Sequence, residues 1–231
     1  MKIMETKENP GTHHFRNTIA GSVALPFLFV LLLWIIKLVE TLSGESFADF
    51  GIIPRTFSGL KGILTSIFIH ADFNHLLSNT FPLLILGSGL MFFYRDVALK
   101  VFVLIWLMSG FWVWLFARPS SHIGASGLIY GIAAFLFLSG VLKKNKNLLA
   151  ISLLTVFLYG GLAWGIFPVA ERISWEAHLA GGLAGFFCAF VFRDEGPLKE
   201  EKKWDDEDED DDENAEWKIA GKNSNGSDVT N

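Results

Sequence analysis

The chain has 231 residues, of which 51% are hydrophobic, 14% aromatic and only 19% charged, with a mean hydropathy of +0.39. That apolar excess excludes an ordinary soluble domain, a collagen and a wholly disordered chain, and the single cysteine, Cys188, excludes an internal disulfide. The formal charge of −5 averages two unlike regions: residues 1–193 carry nine acids and fourteen bases, whereas residues 194–231 carry fifteen acids and five bases.

A helix crossing the hydrocarbon core needs roughly 20 predominantly apolar residues. Runs free of Lys, Arg, Asp and Glu occur at Ile19–Ile36, Phe73–Tyr94, Val101–Ala117, Pro119–Leu142, Asn147–Ala170 and Ala177–Phe192. The last reaches spanning length by starting near Ser174. These runs are apolar on all sides, unlike the helices of a soluble bundle. They predict an all-α membrane protein with six transmembrane helices at about 19–38, 73–94, 100–117, 124–142, 147–168 and 174–193. Residues 1–18 then form an N-terminal segment and 19–193 the membrane domain. The first run exceeds a signal-peptide h-region, follows a long polar segment and lacks an A-x-A site, so it reads as a mature helix.

Lys and Arg set the orientation. With the N-terminus inside, fourteen bases fall in inside segments and five outside, which places both termini in the cytoplasm. Segment 40–72 is the longest connection; Pro54, Gly59 and Gly62 interrupt its apolar part, which reads as a loop lying partly in the interface. Residues 194–231 contain the acidic block Trp204–Trp217 and predict a disordered cytoplasmic tail. Such a tail is either solvated with no specific partner or a binder of a basic partner or a cation.

Ionisable and amide groups at membrane depth are costly and point to function. Here they are His75 and Asn79 in the second helix, Ser126 in the fourth and His178 in the sixth. All three helices run from outside to inside, so these groups share one level below the outer surface. Gly127 and Gly131 follow the serine, and Gly181 and Gly185 follow the histidine, each pair at i,i+4. Such stripes let helix backbones approach closely, which predicts that the fourth and sixth helices pack together and bring Ser126 to His178. Tyr130, one turn below Ser126, is placed to pack on the imidazole.

Imidazole can accept the proton of a serine hydroxyl and so activate it for acyl transfer. The spans supply no carboxylate as a third member, so the pair reads as a dyad. Asn79 Nδ2, His75 and the Ser126 N–H are candidate donors to an oxyanion, and Gly124 and Gly127 leave room for a substrate backbone. Serines, glycines and isolated histidines in membrane helices also serve packing alone; it is their conjunction at one depth that favours catalysis. His122 is a rival base placed at the interface. G-A-S-G-L is not the G-x-S-x-G elbow, H-E-x-x-H is missing, and His70, Asp72 and His75 fit no metal spacing. No nucleic-acid surface is evident.

At these residues the sequence resembles the rhomboid family of intramembrane serine proteases, in its small bacterial-type six-helix form. His70-ADFN-His75-LLS-Asn79 matches the family's second-helix pattern, Gly124-A-Ser126-Gly127-LI-Tyr130-Gly131 the fourth and Ala177-His178-LA-Gly181-GLA-Gly185 the sixth. The resemblance covers about residues 20–193. It implies Ser126 as nucleophile, His178 as general base, His75 and Asn79 in the oxyanion hole and His70 in support. It also implies transmembrane protein substrates, no cofactor and a bacterial cell membrane. One departure is that Lys61-Gly62 stands where many members have Trp-Arg in the first loop. An inactive rhomboid-like protein that binds membrane helices, or a six-helix transporter, are the alternatives to a protease.

Overall fold

The computed structural model describes residues 10–158, 167 and 174–197. Among these the chain forms seven α-helices and no strand. The six longer helices are α1 (Pro10–Ser43), α2 (Phe73–Phe93), α3 (Ala98–Phe116), α4 (Ser126–Lys143), α5 (Lys146–Leu158) and α6 (Trp175–Val191). The seventh is a single turn, Gly62–Thr65, flanked by 3₁₀ turns in the connection between α1 and α2.

Among the described residues four helices are long and apolar enough to cross a membrane: Ile19–Ser43 of α1, then α2, α3 and α4. The described parts of α5 and α6 are shorter, at 13 and 17 residues. The predicted end of α5, with Gly160, Gly161, Trp164 and Gly165, lies outside the described residues, as does the acidic block of the tail.

Several boundaries differ from the sequence expectation for local reasons. Helix α1 begins at Pro10, inside what was expected to be a separate N-terminal segment. The same helix runs on to Ser43, where Thr41 Oγ1 donates to Lys37 O at 2.8 Å and Lys37 pairs with Glu40 at 2.8 Å. Helix α4 starts at Ser126 rather than at residue 124, because Gly124 has φ +106°, which no helix accommodates. Past α6 the chain turns before the tail leaves: Glu195 N–H donates to Phe192 O at 3.0 Å, and Gly196 lies against the Tyr94 ring.

The core lies where α1, α2, α3, α4 and α6 converge, around Leu33, Leu76, Leu86, Ile105, Ile132 and Phe135, each fully buried. Outward faces carry Leu28, Ile35, Phe187 and Phe190, all exposed, as suits a surface solvated by lipid. Between helices in lipid the hydrophobic effect supplies little, and close packing must hold the bundle. The tightest packing joins α4 to α6. A Cβ on Gly181 would run into Gly127 O, and one on Gly185 into Gly131 O. Reciprocally, a Cβ on Gly127 would sit 2.9 Å from Ala177 O. Backbone therefore meets backbone along two helical turns.

The connection of residues 44–72 is the second scaffold, and it lies against α3 rather than hanging free. Trp106 Nε1 donates to Ile63 O at 2.9 Å and Trp114 Nε1 to Thr56 O at 2.8 Å. Arg55 Nη1 reaches Ala117 O at 2.8 Å, while Arg55 N–H donates to Trp114 O at 2.9 Å. These bonds satisfy polar backbone that lipid could not.

The glycine contacts carry a direct prediction. Gly181→Ala and Gly185→Ala force a methyl into a carbonyl of α4 and should each destabilise the bundle by about 1–3 kcal/mol. Gly182→Ala, which meets nothing within 4 Å, should be neutral. Thermal unfolding in detergent micelles distinguishes the two outcomes.

Candidate active site

Ser126 is the first residue of α4 and His178 lies in the first turn of α6. The glycine-lined contact brings them together: His178 Nε2 and Ser126 Oγ are 2.8 Å apart. The Tyr130 ring stacks on the His178 imidazole, with centroids 4.1 Å apart and planes 9° from parallel. That face-on contact fixes the ring plane, and thereby the direction of Nε2.

The turn before Ser126 is shaped by Gly124. Its positive φ excludes most side chains, and an ideal Cβ there would lie 2.8 Å from His75 Nε2 and 2.7 Å from Cε1. The His75 ring edge thus abuts the serine loop. The same loop is tied to the α1–α2 connection by Gly124 N–H donating to Ser66 O at 2.9 Å. At a helix start the first N–H groups have no intrahelical acceptor; the Ser126 N–H is one of these and lies at the positive end of the helix dipole. The Ser126 N–H and the His75 ring edge therefore both lie at the serine loop.

Asn79 is buried, but its amide turns to its own helix and donates to His75 O at 2.7 Å. Its second amide hydrogen is the one left for another acceptor. His70 lies beneath His75, their rings edge to face at 5.1 Å. It is almost wholly buried, and neither ring nitrogen makes a hydrogen bond of good geometry. Burial, reinforced by the neighbouring His75, pushes its pKa down to about 3. Asp72 caps α2, its Oδ1 accepting from His75 N–H at 2.7 Å, and that bond holds its carboxyl below the usual carboxylate range.

Gly127, expected to leave room for substrate, instead faces α6, where Ala177 O closes over it. Gly181 and Gly185 likewise serve the helix contact. His122, the rival base, is buried within the protein. Its backbone exchanges two hydrogen bonds of 2.9 Å with Ile52, and its ring reaches Arg118 O at 3.0 Å and Ser174 Oγ at 2.5 Å. A ring so engaged ties three loop segments together; it does not approach Ser126 as a base. Burial lowers its pKa from the ordinary histidine value.

Three contributors escaped the reading of the sequence. Ser66 acts through its carbonyl, which no side-chain pattern reports. Ser174 holds His122, and no spacing rule links residues so far apart in the chain. Lys37, counted only as an orientation charge, reaches across to the loop that bears His70. Its one legible signal was the acid at i+3, Glu40.

The rhomboid-domain family profile matches residues 58–195. An uncharacterized protein of Mycobacterium tuberculosis is 36% identical over 190 residues, covering 76% of this chain and 76% of its own length. An uncharacterized protein of Mycobacterium leprae is 33% identical over 199 residues, or 82% of this chain and 78% of its own. RHOMBOID-like protein 1 of Arabidopsis thaliana is 32% identical over 138 residues, which is 56% of this chain and 34% of the plant protein.

Two predictions follow from the loops. Gly124→Ala should abolish any Ser126-dependent chemistry and also lower the thermal midpoint, since the methyl meets the His75 ring and sits on backbone at φ +106°. For His70, the folded chain refuses a proton that the unfolded chain accepts between pH 3 and 6.5. Stability should therefore fall as pH drops through that window. His70→Phe should flatten the fall, as read by thermal midpoints across a pH series.

Proposed function

The chain belongs to the rhomboid family, and from that premise we propose that it is an intramembrane serine endopeptidase cutting transmembrane proteins in or near their membrane span. The observation that carries this reading is the 2.8 Å contact of Ser126 Oγ with His178 Nε2 at the start of two helices.

In the first step Ser126 Oγ attacks the scissile carbonyl while His178 Nε2 takes the hydroxyl proton. The C=O pair moves to oxygen, and the tetrahedral oxyanion is met by the Ser126 N–H and by His75 Nε2–H, with Asn79 contributing to the same hole. His178 then returns its proton to the departing amine as the C–N bond breaks, leaving an acyl-Ser126 ester. Water, deprotonated by the same imidazole, cleaves that ester and restores the serine. Tyr130 keeps the imidazole in plane throughout. A hydrogen-bonded substrate helix hides its carbonyls, so the substrates of this chemistry are spans whose small or helix-breaking residues open locally.

The membrane arrangement belongs to the same proposal. Six helices within residues 19–193 cross the bilayer of a bacterial cell membrane, with both termini cytoplasmic by the excess of inside Lys and Arg. The acidic residues 194–231 offer negative charge to a basic partner or a cation.

Full-length protein in liposomes, incubated with a transmembrane substrate, tests this reading. Wild type should cleave; Ser126→Ala and His178→Ala should each lose at least about a thousandfold in rate. A fluorophosphonate should label wild type at Ser126 only. Cleavage persisting in both variants removes the dyad, and a wild type that neither cleaves nor labels removes the protease.

A further inference from the structure

Lys37 sits in α1 with its side chain buried and its ammonium surrounded by three acceptors. Nζ donates to Glu40 Oε2 at 2.8 Å, to His70 O at 3.0 Å and to Ala71 O at 3.1 Å. An ammonium has three hydrogens, so this set uses all of them. Glu40 is held in turn, its Oε1 accepting from Phe47 N–H at 2.9 Å. A lysine in a membrane helix has an easier alternative, which is to extend to the headgroups. Here it is turned onto two consecutive carbonyls of the loop that precedes α2.

The identity of those carbonyls matters. His70 C=O and Ala71 N–H belong to one peptide group, and that N–H points at His75 Nδ1 at 3.5 Å. A cation on the carbonyl end polarises the peptide and strengthens its N–H as a donor. In a neutral imidazole only one nitrogen carries hydrogen, so an Nδ1 that accepts leaves the proton on Nε2. Nε2 is the atom against Gly124 and the serine loop. The other tautomer would present a lone pair there and repel an oxyanion.

We infer that Lys37 is a positioning residue: through the His70–Ala71 peptide it sets His75 in the Nε2–H tautomer and aims that donor at the oxyanion. The inference rests on the protease reading for its consequence in turnover, but the tautomer is a property of the resting protein. Lys37 touches neither substrate nor Ser126. The same bonds fix the last residues before the Asp72 cap, so ring orientation and tautomer are set together.

The test uses full-length protein with Lys37→Met and Lys37→Arg. Steady-state cleavage in liposomes should show kcat lowered about ten- to a hundredfold in Lys37→Met, with KM within about twofold of wild type. Arginine, which can donate to both carbonyls, should recover most of the loss. In parallel, ¹⁵N ring shifts of His75 in micelles should report Nε2–H in wild type and a move toward Nδ1–H in Lys37→Met. An unchanged kcat, or a change in KM alone, overturns the inference. So does a wild-type His75 carrying its proton on Nδ1, which remains decisive even where Lys37→Met does not fold. A wild type without proteolysis removes the protease reading, while the ring spectrum still decides the role of Lys37.

Discussion

Everything at the candidate site depends on how closely two helix backbones can approach in lipid. A membrane offers little hydrophobic gain for bringing helices together, so α4 and α6 must be held by contact itself. Gly127, Gly131, Gly181 and Gly185 remove the side chains that would separate them, and each helix sets its glycines against the other's carbonyls. The 2.8 Å between Ser126 and His178 is the geometric consequence. A single methyl in that seam would lengthen it beyond hydrogen-bonding reach, because both residues ride on rigid helix starts.

A second constraint acts on the far side of the serine. The His75 ring stands in the first turn of α2 and rests on a connection with little regular structure, which must nevertheless be rigid. Its rigidity is made by backbone carbonyls that accept from Trp106 and Trp114 of α3, by the Ile52–His122 bridge and by Ser66 O on Gly124. Where many relatives carry Trp-Arg, Gly62 packs against the Gly51 backbone, and the Lys61 ammonium lies 4.8 Å above the Phe50 ring centroid. The loop achieves its fixed shape by close backbone contact and by Arg55 on the end of α3. On the α1 side, Lys37 and Glu40 complete the clamp.

The two scaffolds divide the chemistry. In the proposed reaction one presents the nucleophile and its base on two closely packed helix starts. The other supports the His75 ring through hydrogen bonds that lipid cannot compete for. Buried histidines at their junction remain neutral, which suits the roles they take: His70 as filler beneath His75, and His122 as a strut between loops. At Lys37 the charge is balanced by Glu40 and acts on a peptide group.

Much of this was legible in the chain itself, because its signals are local. Charge-free runs mark helices through the cost of burying charge in hydrocarbon, and the i,i+4 glycines mark the faces that meet. The Ser126, His178 and His75 patterns marked the family. Lone positions in loops behaved otherwise. Gly127 and His122 changed roles, since whether a side chain faces substrate or a neighbouring helix depends on register between distant segments. The start of α4 moved because one positive φ at Gly124 overrides an apolar run. Ser66 and Lys37 act through backbone carbonyls, and every residue has one, so composition and spacing carry no trace of which carbonyl matters. Local chemistry is written in residue order; the pairing of backbone groups across the bundle is settled only when the helices close on one another.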